Sequence, residues 1–116
     1  MNDIASHELF LLPPGVEKVS FERDTKIPFA GTFTIEKEDH TLGNMLRHQL
    51  LRNPDVIFAG YMMPHPLEHK IVIKVQTTRK STPNQAMQTA IKELQKDLGS
   101  LQADFEEGIR RAKELR

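Results

Sequence analysis

The sequence contains no cysteine, which excludes disulfides, zinc ribbons and thiol catalysis together. It carries no surplus of charge either. Sixteen basic and sixteen acidic side chains cancel, so no global field draws the chain to nucleic acid or to an acidic membrane. No apolar segment approaches the roughly 20 residues that cross a bilayer, and ELFLLPPG at positions 8–15 is too short and too acid-flanked for a secretory signal. A soluble, intracellular protein is expected. Strand-borne aromatics that could stack on bases are few beyond Phe33 and Tyr61, so no direct nucleic-acid contact is expected. Lys70, Lys74, Arg79 and Lys80 read as a small basic edge, a solvated strand border. The histidines at 7, 40, 48, 65 and 69 are scattered, and His65 with His69 in a proline-broken segment is a weak metal pair. Neither a metal nor a cofactor is expected.

What is present fits one domain spanning residues 1–116, long enough for a modest core that hides about two thirds of the unfolded surface. After an irregular start, residues 16–23 alternate, with Val19 and Phe21 apolar between polar neighbours, as a half-buried strand does. Turn chemistry fills 24–28. A second strand over 29–37 places Phe29, Gly31, Phe33 and Ile35 on one side and Thr32, Thr34 and Glu36 on the other. Further strands are expected at 56–63 and 70–78, the latter with Ile71, Ile73 and Val75 inward. PHPLEH between them is a loop, because its prolines cannot donate to a ladder.

The stretch EKEDHTLGNMLRHQLL at 36–51 admits two readings. As a site, Asp39 and His40 would serve a small hydrolase, but neighbours on a helix point about 100° apart and a third polar group in a pocket would be needed. As a helix start, Asp39 or Thr41 accepts free first-turn N–H groups, and the acids sit at the positive end of the dipole. Leu42, Met45, Leu46 and Leu50 then form one stripe of a helix over 41–52, stopped by Asn53 and Pro54. Gly43, a poor helix former, is read either as admitting another backbone closely or as simply tolerated near a helix end.

The last third predicts one long helix. Thr82, Pro83 and Gln85 supply an N-cap, a proline at the first helical position and a capping-box partner. Met87, Ile91, Leu94, Leu98, Leu101, Phe105, Ile109 and Ala112 recur at steps of three and four to the end of the chain. Some thirty residues at 1.5 Å each span about 50 Å, whereas a compact domain of this size has a radius of gyration of about 13 Å. The helix should overhang its own sheet, leaving the stripe from Leu98 to Ala112 without cover; the alternative is a helix that curls back or frays after Gly99 or Gly108. Apolar surface left in water costs about 25 cal/mol per Å² relative to burial, so a partner surface is implied.

EDHTLGN at 38–44 and NPDVIFAGYMMPHPLEHKIVIKVQTT at 53–78 resemble the small alpha-like subunits of cellular RNA polymerases. The opening at 8–26 is nearer the type found in polymerase II than the paralogue shared by polymerases I and III. The resemblance covers about residues 8–110. It implies an α+β fold, β-β-α-β-β-α, similar to archaeal polymerase subunit L and the dimerisation domain of bacterial alpha: a four-stranded, mainly antiparallel sheet, one short helix and one long C-terminal helix. It also implies a nuclear, non-catalytic scaffold that pairs with a larger alpha-like chain, the third subunit of RNA polymerase II, and nucleates assembly of the large subunits. Leu42, Met45, Leu46 and Leu50 of the short helix, with Leu94, Leu98, Leu101 and Phe105 of the long one, would then form half of a four-helix interface. The alternatives are the I/III paralogue and an unrelated self-associating α+β module.

Overall fold

β-branched residues in strict alternation make the centre of the molecule. Ile71, Ile73 and Val75 of strand β4 (Lys70–Thr77) all point to one face and are fully buried there. Strand β2 (Ala30–Glu36) pairs antiparallel on one side of β4, setting Phe33 opposite Ile73 and Ile35 opposite Ile71. Strand β3 (Val56–Met62) pairs antiparallel on the other, with Ala59 opposite Val75 and Tyr61 opposite Ile73. Strand β1 (Val19–Arg23) completes the order β1-β2-β4-β3. Helices α1 (His40–Leu51) and α2 (Pro83–Glu114) close the same core, which joins Leu46 and Leu50 to Ala86, Met87 and Ala90 over the sheet. This is the β-β-α-β-β-α, α+β arrangement expected from the sequence. It is described from a computed structural model covering residue 15 and residues 17–115. The expected irregular start, the 8–15 reading, Val16, His7 and most of the 8–26 resemblance lie outside the described residues.

Three expectations need correction. β1 is exposed along its whole length instead of half-buried, because the helices sit over β3 and β4 and leave the far edge open; Phe21 finds partial cover in a tilted stack on Phe33, ring centres 4.8 Å apart. Phe29 is not an inward residue of β2. It takes a left-handed conformation, φ 57°, as the turn enters the strand, and its ring is exposed. Finally, β4 is a central strand, so its lysines border no edge: Lys70 pairs with Glu68 at 3.2 Å, and Arg79 and Lys80 lie in the following turn.

The turns are held by polar contacts. Asp24 Oδ1 accepts from the backbone N–H of Lys26 (2.8 Å) and of Ile27 (3.1 Å), and those donors hold its carboxyl below the ordinary carboxylate range. Before α1, Lys37 at φ 57° donates its N–H to His69 O, while Lys18 meets Glu38 at 2.9 Å. Thr77, buried, donates its hydroxyl to Ser81 O at 3.0 Å and so fixes the approach to α2.

The long helix does overhang. α2 runs unbroken for 32 residues, about 48 Å at 1.5 Å per residue, through both Gly99 and Gly108. Its buried residues are confined to Pro83, Ala86, Met87 and Ala90. The radius of gyration is accordingly 17.8 Å, with extents of 62 × 45 × 24 Å, well above the compact value of about 13 Å.

Candidate dimerisation surface

Whether the acid-histidine run is a site or a cap is decided by its contacts. Asp39 is the N-cap of α1: it has extended backbone, and its Oδ1 accepts from Thr41 N–H at 3.0 Å. His40 turns elsewhere, its Nδ1 3.1 Å from the Tyr61 hydroxyl and its ring edge-on to the Tyr61 ring. The two side chains therefore serve different partners and converge on no common point. Asp39→Ala is expected to lower stability by about 1 kcal/mol, seen as a lower urea midpoint at unchanged slope. An unchanged midpoint would mean that another group satisfies that turn.

Gly43 does admit a close neighbour, but it is a ring and not a backbone. A Cβ at this position would stand 2.5 Å from Cδ2 of Tyr61. Tyr61 thus lies flat on the first turn of α1, with the Arg47 guanidinium over its ring at 5.7 Å. This is the physical link between the HTLGN and FAGY runs. Gly43→Ala should gain about 1 kcal/mol of helix propensity and lose about 1–3 kcal/mol to the displaced ring. The net is a destabilised protein. In a Tyr61→Ala background the same change should stabilise; a double-mutant thermal melt reads the sign.

The eight side chains expected at a partner surface divide by depth. Leu46 and Leu50 are 3% and 0% exposed and belong to the chain's own core. They support α1 from beneath and are not free to touch a second chain. Leu42 and Leu94 are half-buried against that core. Met45 is exposed, and Leu98, Leu101 and Phe105 are 52%, 65% and 67% exposed, in line along α2. The two groups meet at the crossing of the helices, where a groove of about 460 Å³ is lined by Asn44, Met45, His48, Gln49, Arg52, Leu94 and Asp97.

Sequence reasoning missed the tie that sets this crossing. Gln49 is buried, donates its amide to Glu93 of α2, and accepts at 3.5 Å from Arg52. A glutamine one step from a buried leucine, within reach of an acid on the next helix, is a weak signal that only the fold makes legible. Periodicity also gave no sign of a second apolar area on the open face of the sheet, about 430 Å³, lined by Phe58, Gly60, Met62 and Val72 with Thr32, Tyr61 and Lys74.

The back of α2 is polar, with Glu107 bridging Arg111 at 2.7 Å and Arg110 at 3.8 Å. Such exposed pairs contribute about 0–1 kcal/mol and mark this side as solvated. His65 and His69 gather no further ligands: among the described residues no group of three or more His, Asp or Glu is placed to hold a metal ion.

Known proteins share this architecture and much of this sequence. The chain is 52% identical over 111 residues to a probable DNA-directed RNA polymerase II subunit RPB11 of Caenorhabditis briggsae, covering 96% of this chain and 90% of that one. It is 46% identical over 115 residues to the polymerase II subunit rpb11 of Dictyostelium discoideum, covering 99% and 96%. The RPB11 subunit of Schizosaccharomyces pombe is 45% identical over 105 residues, covering 90% and 85%. In fold, the chain is similar to the crystal structure of DNA-directed RNA polymerase subunit L from Thermoplasma acidophilum, with a TM-score of 0.67 and 23% identity over 84% of this chain and 96% of that one. The family model described as the RNA polymerase Rpb3/Rpb11 dimerisation domain matches residues 30–104, from the first residue of β2 to the exposed part of α2, and the chain belongs to that family.

Proposed function

We propose that this chain is the small alpha-like subunit of a nuclear RNA polymerase II, pairing with an Rpb3-type chain to scaffold assembly of the large subunits for mRNA transcription. It contributes no catalytic residue of its own. One observation carries the reading: an unbroken helix projects beyond the fold with Leu98, Leu101 and Phe105 in water. An apolar stripe of that length is stable in solution only against another surface. Met45 and Leu94 extend the stripe back to the crossing with α1, so two such helix pairs brought together form a four-helix seam. Asp39 and His40, spent on a cap and on Tyr61, serve the shape of α1 rather than chemistry. The relatives from Caenorhabditis briggsae and Dictyostelium discoideum, both polymerase II subunits by name, support the assignment to polymerase II.

The test is co-expression with the third subunit of the same polymerase, followed by size-exclusion chromatography. The chain alone is expected to self-associate or precipitate, and with its partner to elute as a 1:1 complex. A monodisperse monomer indifferent to the partner would refute the proposal.

A further inference from the structure

We propose that the stripe on α2 is built to accept a helix rimmed with lysine or arginine in preference to a second copy of this chain. The inference rests on the pairing reading above and deepens it by stating the partner's chemistry.

Take Ile91, Leu98 and Phe105 as the a places of a heptad and Leu94 and Leu101 as the d places. The e and g places beside the seam, which set partner choice in paired helices, are then Gln95, Asp97, Gln102 and Asp104. Over these two heptads the rim holds two carboxylates, two amides and no cation. The cations of the same stretch, Lys92 and Lys96, fall at b and f, facing away from the seam. Beyond Phe105 the stripe steps by four to Ile109, which carries Arg111 off the rim, where Glu107 engages it at 2.7 Å. Among the described residues, neither Asp97 nor Asp104 takes part in an ion pair.

The two acids differ in setting. Asp97 lines the groove between the helices, with Arg52 and His48 on the α1 wall of the same groove. Asp104 lies seven residues further out, about 10 Å along the axis, beyond the reach of α1, on a part of the helix exposed on every side. Crossing two copies antiparallel over this stretch sets g places against g places, opposing carboxylate to carboxylate beside a drying apolar seam. There the repulsion is stronger than in water. A helix with basic residues at its facing rim removes that penalty and steers the encounter. The match to the dimerisation-domain family runs through residue 104 and so includes both acids.

The full-length wild type and the Asp97→Lys/Asp104→Lys variant are compared by sedimentation equilibrium, each alone, mixed with one another, and each with the third polymerase subunit. Far-UV spectra check that the exposed substitutions leave the fold intact, and Asp104→Lys alone serves if the double variant does not fold. The expected results are a variant bound at least tenfold more weakly to the third subunit, and a mixed dimer of wild type with variant that forms more readily than either forms with itself. For the wild-type heteropair, association should slow several-fold between low and physiological salt. Binding of the variant within twofold of wild type, or no preference for the mixed dimer, would overturn the rim assignment. Failure of the folded wild type to bind the third subunit would instead overturn the pairing reading, and the mixed dimer alone would then judge the rim.

Discussion

Leu101→Asp, and equally Leu98→Asp, is expected to abolish pairing with the Rpb3-type chain while the isolated protein keeps its far-UV spectrum and its melting curve. The asymmetry follows from where α2 spends its contacts. Every buried residue of the helix lies at or before Ala90, so a charge at 98 or 101 meets only water in the free chain. In a dry seam the same carboxylate stays unpaired, at a cost of several kcal/mol, or more than a hundredfold in affinity. A pull-down beside a melt reads both halves. Unchanged capture would remove the distal stripe from the interface; a collapsed melt would mean that the stripe supports the fold.

Leu50→Ala should do the reverse. The side chain is fully buried between α1 and the sheet, and its removal is expected to cost about 2–5 kcal/mol of folding stability, against a total of about 5–15 kcal/mol for an ordinary domain. The melting temperature should fall by about 10 °C or more, while protein still folded at low temperature pairs as the wild type does. A variant that melted normally yet failed to pair would return Leu50 to the partner surface. The two substitutions thus separate a stripe that holds the chain together from one that the chain itself leaves exposed.

That distinction is also the measure of what the sequence made legible. The long helix could be read with its cap because Thr82, Pro83 and the three-four steps from Met87 onward all agree, and its overhang followed from length alone. The inward faces of β2 and β4 were legible at Phe33, Ile35, Ile71, Ile73 and Val75 because alternation has a single inward phase. Leu46 and Leu50 were harder. Periodicity marks a side chain as needing cover and is silent about whose surface supplies it, so Met45 and Leu46, neighbours on one apolar stripe, part company only when the sheet is in place. β1 misled for the same reason: Val19 and Phe21 alternate correctly, but the helices do not extend far enough to shield them. Gly43 and Tyr61, 18 positions apart, are joined by the fold alone.

The unbroken course of α2 makes angular phase a property under constraint. Ala86, Met87 and Ala90 lock the first turns against the sheet, and the helix runs from Ala90 to Phe105 without a break, Gly99 included. The direction in which Leu98, Leu101 and Phe105 look is therefore dictated by residues that never approach another chain. Each residue turns the helix by about 100°, so inserting one alanine after Leu94 would preserve every apolar side chain, the helicity and the charge, and still aim the outer stripe and its acidic rim a quarter-turn and more away from Met45. Four inserted residues would nearly restore the aim and displace it outward by about 6 Å. In this sense the inner turns of α2 act as a compass bearing for its outer turns, and the spacing between the two blocks is as much a part of the proposed docking surface as the leucines themselves.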